Sequence, residues 1–109
     1  MKNKEGMIIM TITKTQGDGT LILALQGRLD TATAPQLQEE LIPALADAKN
    51  VVLDFANLAY ISSAGLRVLL MGEKQAKLGP ASMTLRNVPE EVLEVLSMTG
   101  FTDILNIEG

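Results

Sequence analysis

The first part of the chain alternates between apolar and polar positions with the period of a β-strand. In Met7–Thr15, isoleucine and methionine side chains fall on one face and threonines largely on the other, a pattern typical of a strand that is covered on one side. Thr20–Gln26 is a second predicted strand, and the turn at Gly17–Gly19 between the two predicts a β-hairpin. Because the second strand is apolar on both faces, we expect it inside the sheet with helices covering it.

The next segment changes to the period of an α-helix. Apolar side chains recur at three- or four-residue spacing from about Ala34 to Ala48 and line one face. Thr33 stands where an N-cap residue belongs, and Pro35 suits the first turn of a helix. Pro43 lacks the N–H that would bond to the carbonyl four residues back, so we predict a bend in this helix.

Strands and helices then alternate toward the end of the chain. The pattern predicts a buried strand over Val51–Phe55 and a second helix over Ala64–Lys77. It also predicts a fourth strand over Ala81–Arg86 and a closing segment, Phe101–Glu108, that contains a candidate last strand. A third helix is predicted before the closing segment. Asn87 and Glu90 have the spacing of a capping box at its start, and Gly100 ends it.

This order of elements predicts the fold class. Helices that join consecutive strands imply right-handed crossovers and a mostly parallel sheet, and the opening hairpin adds an antiparallel pair. We therefore predict an α/β fold with a mixed, mostly parallel β-sheet of about four to five strands and packed helices. The chain has 109 residues and shows neither an internal repeat nor a linker, which predicts one domain over residues 1–109 with an ordered core of about 7–108.

The amino-acid composition argues against several classes of function. Nine Lys and Arg against 13 Asp and Glu give a formal net charge of −4, which opposes binding to DNA or RNA, and one Tyr and two Phe are too few to stack on bases. The chain has no His and no Cys, so the usual nucleophile–base pairs and the imidazole and thiolate metal ligands are absent. Gly-rich loops with phosphate-binding or dinucleotide-binding spacing are absent too. We expect no enzyme activity, no cofactor and no metal ion.

The N-terminal residues and the lack of long apolar runs indicate where in the cell the protein is expected. Lys2 and Lys4 are reminiscent of a signal peptide, but Glu5 follows them, and the apolar stretch after it soon reaches threonines. No apolar run approaches the roughly 20 residues that span a bilayer. Cysteine pairs, which stabilise many small secreted domains, are absent. We therefore expect a cytoplasmic protein that does not bind a membrane.

The segment between the third predicted strand and the second predicted helix carries a candidate site. Tyr60–Arg67 brings two adjacent serines, Ser62 and Ser63, to the start of a helix, where backbone amides and the positive end of the helix dipole face solvent. Helix capping accounts for one serine. It does not account for the second serine, for Gly65 inside the helix, or for Arg67 on an otherwise apolar turn. The segment is therefore a candidate for ligand binding or modification.

A second loop is predicted to lie beside this segment. Gly27–Asp30 follows the central strand, and because the carboxyl ends of parallel strands meet at one edge of a sheet, the two loops are expected to form one surface. The alternative interpretation is local, with Gly27 as a turn residue and Asp30 as a hydrogen-bonding cap. Asp54 ends a buried strand with no second acid placed nearby for acid–base catalysis, so we interpret it as structural.

The residues of these loops, taken together, resemble a known family, the STAS domain of bacterial anti-sigma factor antagonists. The resemblance extends nearly end to end and is carried by four segments in combination: Gly27–Ala32, Val51–Asp54, Tyr60–Leu66 and Gly100–Phe101. It implies the α/β fold of that family. It also implies a regulatory function that depends on binding other proteins.

In family members that act as switches, the serine directly after an aspartate accepts phosphate from an anti-sigma factor kinase. By position, that phosphoacceptor is Ser63 here. The resemblance implies that the unphosphorylated protein binds the anti-sigma factor, a serine-protein kinase, and frees sigma. Phosphorylation then releases the protein, and a phosphatase restores the binding form. The residues expected to contact the partner are Asp30, Thr31, Ala32, Ser62, Ala64, Gly65, Leu66 and Arg67.

This chain departs from the family pattern at two positions. Ser62 stands where an aspartate is usual, and Ala64 stands where a second hydroxyl is usual. Two alternatives stay open: Ser62 itself accepts the phosphate, or the protein is a non-switching STAS scaffold subunit of a transport or signalling complex. Arg67 also has two interpretations, since it either pairs with acidic groups on the partner or is simply solvated.

Overall fold

Strands and helices alternate along the chain in the computed structural model, which describes residues 10–47 and 49–108. The strands are β1 (Met10–Gln16), β2 (Thr20–Leu29), β3 (Asn50–Ile61), β4 (Met83–Arg86) and β5 (Asn106–Ile107). The helices are α1 (Ala34–Ala46), α2 (Ser63–Lys77) and α3 (Glu90–Met98), and a short 3₁₀ helix covers Phe101–Asp103. The first residues of the first predicted strand, 7–9, and the last residue of the first predicted helix, Ala48, lie outside the described residues.

The strands form one mixed sheet in the order β1-β2-β3-β4-β5. β1 and β2 are antiparallel, and the predicted turn joins them, with the Gly17 amide donating to the Thr20 carbonyl at 2.9 Å. β2, β3, β4 and β5 run parallel to one another, as expected where helices connect the strands. The predicted α/β class is confirmed, and β5 confirms a strand in the closing segment.

One face of the sheet carries most of the core, and α1 and α2 cover it. Leu23, Leu53 and Leu85 are neighbours across β2, β3 and β4, and none of them is accessible to solvent. The two helices meet at Gly72 of α2, where an added Cβ would lie 2.8 Å from the Leu41 side chain of α1. The close approach of α1 and α2 thus depends on a residue without a side chain.

The opposite face of the sheet is less covered. Ile22 and Ala24 of β2 and Val52 of β3 lie on this face and are half-buried. β2 lies between β1 and β3, so its predicted position inside the sheet is confirmed. Its burial alternates residue by residue from Thr20 to Leu25, which is the pattern of a strand with one fully covered face. The expected helical cover is therefore present on only one side of β2.

β3 is longer than predicted. The sequence indicated a strand over Val51–Phe55, yet β3 continues through Asn57 to Ile61. Its register against β2 shifts at two places, and each shift leaves one additional residue in β3. Such bulges interrupt the period-two alternation while the strand stays paired, which is why the pattern suggested an early end. β4 differs less, since it begins at Met83 rather than Ala81.

The first two helices agree closely with their predictions. α1 starts at Ala34 and continues through Pro43 to Ala46, and α2 starts one residue before the predicted Ala64. Thr33 occupies the N-cap position of α1, but its side chain makes no capping bond to the helix. The bend expected at Pro43 stays a prediction. Among the described helices, none has both the length and the hydropathy to cross a membrane.

The predicted capping box before α3 is wrong. Pro89, not Asn87, occupies the N-cap position. Asn87 has a φ of 55°, in the left-handed region that Asn tolerates better than most residues, and its side-chain amide donates to Asp54 at 3.2 Å. The spacing from Asn87 to Glu90 therefore belongs to a turn. At the other end, α3 stops before Gly100, whose φ of 83° is that of a helix-ending glycine, as predicted.

Candidate functional site

The loops after β2 and β3 lie side by side at the carboxyl edge of the sheet. Leu29 and Ile61, the last residues of the two strands, are direct neighbours, and the Ser62 amide donates to the Leu29 carbonyl at 2.9 Å. The predicted proximity of the two loops is therefore confirmed. We call the accessible part of this edge the loop surface, and it comprises the exposed or half-exposed residues Thr31, Ala32, Ser63, Ala64 and Arg67.

The two adjacent serines have different environments. Ser62 is the N-cap of α2, and its Oγ accepts a hydrogen bond from the Gly65 amide at 3.4 Å, which satisfies one of the unpaired donors at the helix start. Ser63 is the first helical residue and is exposed. Within the described part of the chain, its hydroxyl makes no hydrogen bond. Capping thus explains Ser62 and leaves the Ser63 hydroxyl accessible.

Gly65 has a packing role. It lies so close to the strand ends that an added Cβ would be 2.7 Å from Leu29 Cγ and 2.9 Å from Ile61 Cγ1. A residue without a side chain is needed for α2 to approach the sheet this closely. Leu66, next in sequence, is 8% exposed and belongs to the core. Both residues are buried and support the loop surface from beneath, and their expected contact with a partner stays a prediction.

Asp30 holds the loop before α1 together. Its Oδ1 accepts hydrogen bonds from the Ala32 amide at 3.0 Å and the Thr33 amide at 3.1 Å. The buried Thr33 hydroxyl donates to the Arg28 carbonyl at 2.7 Å and accepts from the Asp30 amide at 2.8 Å, so the loop uses the side chain that was expected to cap α1. Local hydrogen bonding explains the conformation of Asp30, whose expected contact with a partner stays a prediction, and the loop exposes Thr31 and Ala32.

The surroundings of Asp30 favour its ionised form. Burial alone would raise the pKa of Asp30, but the hydrogen bonds from Thr33 and Ala32, with the charge of Arg28, hold the pKa below its ordinary value of 3.8. The Arg28 Nε lies 3.7 Å from Asp30 Oδ2. The ionised carboxylate is therefore part of the folded loop.

Asp30→Ala is expected to lower the free energy of unfolding by about 1 kcal/mol, because it removes the acceptor that orders the loop before α1. Urea unfolding measures the change. Glu39→Ala is the matched control, since Glu39 is an exposed carboxylate on α1, and this variant should differ from the wild type by less than about 0.5 kcal/mol. Equal stability of the two variants would contradict the structural role of Asp30.

Sequence reasoning missed a contact between Arg28 and Tyr60. The two residues are register partners on β2 and β3, and the guanidinium carbon of Arg28 lies 4.0 Å from the centroid of the Tyr60 ring, which is a cation–π geometry. The only feature of the sequence that pointed to this contact was the position of Arg28, directly before the polar loop that follows β2. Its pairing with Tyr60 follows from the bulges in β3, which the alternation pattern does not reveal.

Asp54 ties β3 to the chain that follows β4. Its Oδ1 accepts hydrogen bonds from the Ala56 amide at 3.0 Å and the Asn87 side chain at 3.2 Å, and its Oδ2 lies 3.4 Å from Arg86 Nε. Burial raises the pKa of Asp54, but the hydrogen bonds from Ala56 and Asn87 and the charge of Arg86 lower it overall. These contacts agree with the structural interpretation of Asp54, since they hold the chain at the first bulge of β3.

Acid is expected to destabilise the protein through these two aspartates. The pKa values of Asp30 and Asp54 lie below their ordinary value of 3.8 in the folded protein. Their contribution to stability is therefore complete above that value and is lost as the pH falls through the folded pKa values. Urea unfolding between about pH 7 and about pH 2.5 measures the loss. Asp30→Asn combined with Asp54→Asn should flatten this profile, whereas an unchanged profile would contradict the prediction.

The arrangement at the loop surface suits modification by another protein. Ser63 offers an accessible hydroxyl, and no base among the described residues is hydrogen-bonded to it. In residues 10–47 and 49–108, no group of three or more acidic side chains is placed to hold a metal ion. An exposed hydroxyl of this kind accepts a transferred group when a separate enzyme supplies the activating base and the donor.

Comparison with known proteins finds related sequences. The family model described as the STAS domain matches residues 11–109. BtrV of Bordetella bronchiseptica, provisionally named an anti-sigma factor antagonist, is 39% identical over 90% of this chain and 85% of its own length. The anti-sigma-B factor antagonist of Bacillus subtilis is 27% identical over 86% of each chain.

Solved structures share the fold. The anti-sigma factor antagonist SpoIIAA in its unphosphorylated form has a TM-score of 0.73 over 91% of this chain and 88% of its own, at 16% identity. The phosphorylated form of Bacillus SpoIIAA has a TM-score of 0.71 over 91% of this chain and 92% of its own, also at 16% identity. The arrangement of strands and helices described above is therefore the fold of both SpoIIAA structures.

Proposed function

The chain belongs to the STAS domain family, and from this premise we propose that it is an anti-sigma factor antagonist switched by phosphorylation of Ser63. The unphosphorylated form binds an anti-sigma factor that is also a serine-protein kinase, and sigma is freed. The kinase transfers the γ-phosphoryl group of ATP to Ser63 Oγ: an O–P bond forms, the bond to ADP breaks, and the hydroxyl proton passes to the kinase. A phosphatase then removes the phosphate and restores binding.

The observation that carries this proposal is the difference between the two serines. Ser62 Oγ is engaged by the Gly65 amide, whereas Ser63 is exposed at the first turn of α2. A kinase reaches Ser63 while α2 stays folded. To accept a phosphate, Ser62 Oγ would first have to release the Gly65 amide. This difference supports Ser63 over Ser62 as the acceptor.

The departure from the family pattern at Ser62 preserves the cap. Aspartate, which the family resemblance places at this position, and serine are comparable N-cap residues, so either starts the helix in the same way. The serine removes a negative charge from the position next to the acceptor. The kinase of this protein must therefore recognise Ser63 without a carboxylate beside it.

We assign partner binding to the loop surface. Thr31 and Ala32 are exposed on one side of the carboxyl edge and Ser63 and Arg67 on the other, while Asp30 keeps the first loop in shape. A phosphate brings about −1.5 to −2 charges to a contact that excludes water. Because the phosphate would lose its hydration there, at a cost that the uncharged serine does not incur, phosphorylation releases the partner.

Affinity capture with and without ATP tests the proposal. The immobilised protein is incubated with a lysate of its own organism, and mass spectrometry identifies the bound proteins and the site of phosphate. We expect an anti-sigma factor with kinase activity that binds in the absence of ATP and leaves in its presence, with phosphate on Ser63. Ser63→Ala should keep the same partner bound when ATP is present.

The same experiment distinguishes the alternatives. Phosphate found on Ser62 alone would contradict the assignment of Ser63. A partner that stays on both the wild type and Ser63→Ala in the presence of ATP would contradict the switch and favour a non-switching scaffold.

A further inference from the structure

We propose that Arg67 binds the phosphate carried by Ser63 within the same helix and is thereby withdrawn from the loop surface. This inference rests on the proposed function, because it concerns the phosphorylated form of Ser63. It gives Arg67 a third role beside partner contact and solvation. Arg67 becomes the internal counter-charge of the modification.

The positions of the two residues on α2 favour the contact. Ser63 and Arg67 are four residues apart, so their side chains lie one above the other on the same side of the helix. Long helical side chains point back toward the N-terminus, which directs Arg67 toward Ser63. An acidic group four residues before a cation is also the more favourable order of the two. Both residues are exposed, so the contact requires no repacking of the core.

Arg67 has no competing acid in the described residues. The chain contains three arginines. Arg28 pairs with Asp30 at 3.7 Å and Arg86 with Asp54 at 3.4 Å, whereas no described carboxylate lies within ion-pair distance of Arg67. The residues three and four positions from Arg67 on α2 are all uncharged: Ser63, Ala64, Leu70 and Met71. A phosphate on Ser63 would be the first acid on this side of the helix.

The chemistry of the two groups strengthens the pairing. A guanidinium presents its donors in a planar fork that matches the oxygens of a phosphate, and such charge-assisted hydrogen bonds are stronger than neutral ones. Phosphorylation then changes two charges of the loop surface. It adds an anion at Ser63, and it removes the cation of Arg67 from the reach of a partner.

Phosphorus NMR tests the pairing without any kinase. Phosphoserine is incorporated in place of Ser63 during translation, and the ³¹P resonance is followed across the second ionisation of the phosphate, near about pH 6. A nearby cation favours the dianion and lowers the titration midpoint. Arg67→Met is therefore expected to raise the midpoint by about 0.3 pH unit. Arg67→Lys keeps the charge and should keep most of the wild-type value.

Lys74→Met is the matched control. Lys74 is an exposed cation in the last turn of the same helix, so its loss changes the net charge equally but far from Ser63. The proposal is overturned if Arg67→Met leaves the midpoint unchanged or if Lys74→Met moves it as far. Because the phosphate is installed during translation, a kinase that ignores Ser63 would contradict the proposed function without affecting this measurement.

Discussion

Phosphorylation of Ser63 is expected to weaken binding to the anti-sigma factor about a hundredfold or more. In the free protein, solvent and the amides at the start of α2 accommodate the phosphate at little cost, so the fold should stay intact. In the proposed complex, the same phosphate loses water against a surface that fits the unmodified serine. Titration calorimetry of the unmodified and phosphorylated proteins with the captured partner measures the difference.

Variants of Ser63 separate the effect of charge from that of size. Ser63→Glu carries one charge on a smaller group and should weaken binding less than phosphorylation does, while Ser63→Ala should bind like the wild type. Gln16→Glu is the control, because Gln16 is exposed beside the hairpin turn, at the end of the sheet opposite to the loop surface. It should leave affinity unchanged. Equal affinities for every form would contradict a switch at Ser63.

Gly65→Ala is expected to lower the free energy of unfolding by about 1–3 kcal/mol, although alanine is the better helix former. The added Cβ would overlap Leu29 Cγ at 2.7 Å and Ile61 Cγ1 at 2.9 Å. Leu29 is fully buried and Ile61 is 3% exposed, so neither side chain has room to move aside. Either α2 shifts away from the sheet or both strand ends repack, and urea unfolding measures the cost.

Two other glycines provide graded controls for this prediction. An added Cβ at Gly72 would meet Leu41 Cδ2 and Met83 Sδ, each at 2.8 Å. These atoms lie toward the flexible ends of their side chains, so Gly72→Ala should cost less. Gly79 has no atom within 4 Å of an added Cβ, and Gly79→Ala should change stability by less than about 0.5 kcal/mol. A loss at Gly79 as large as at Gly65 would refute the packing argument.

The order of elements and the position of the site could be predicted because they follow from periodicity. The alternation before Gln26 and the helical spacing after Thr33 are long enough to identify their elements. Once a parallel sheet is expected, the loops after β2 and β3 must share an edge. The hydrogen bond from the Ser62 amide to the Leu29 carbonyl shows that the two loops do meet at this edge.

The features that could not be predicted depend on contacts between distant parts of the chain. A bulge in β3 is defined by its pairing with the neighbouring strand and not by the sequence of β3 itself. The alternation of apolar and polar residues therefore does not predict the extension of β3 to Ile61 or the pairing of Arg28 with Tyr60. Gly65 suggested a functional role because glycine is unfavourable in a helix. The structure instead explains the glycine by the proximity of Leu29, which lies more than thirty residues earlier in the chain and leaves no room for a side chain at position 65.

The hydrogen bond between Ser62 and Leu29 makes the loop surface a continuation of the sheet. A partner that docks there meets a backbone that is already ordered, so association costs little conformational entropy. The same hydrogen bonds bear on how a phosphate on Ser63 would act in the proposed switch. With both loops anchored to the sheet, release relies on charge and hydration at the contact instead of a hinge. In the proposed switch, no slow rearrangement of the loops precedes release, so once Ser63 carries phosphate the dissociation rate of the partner determines how fast the complex separates.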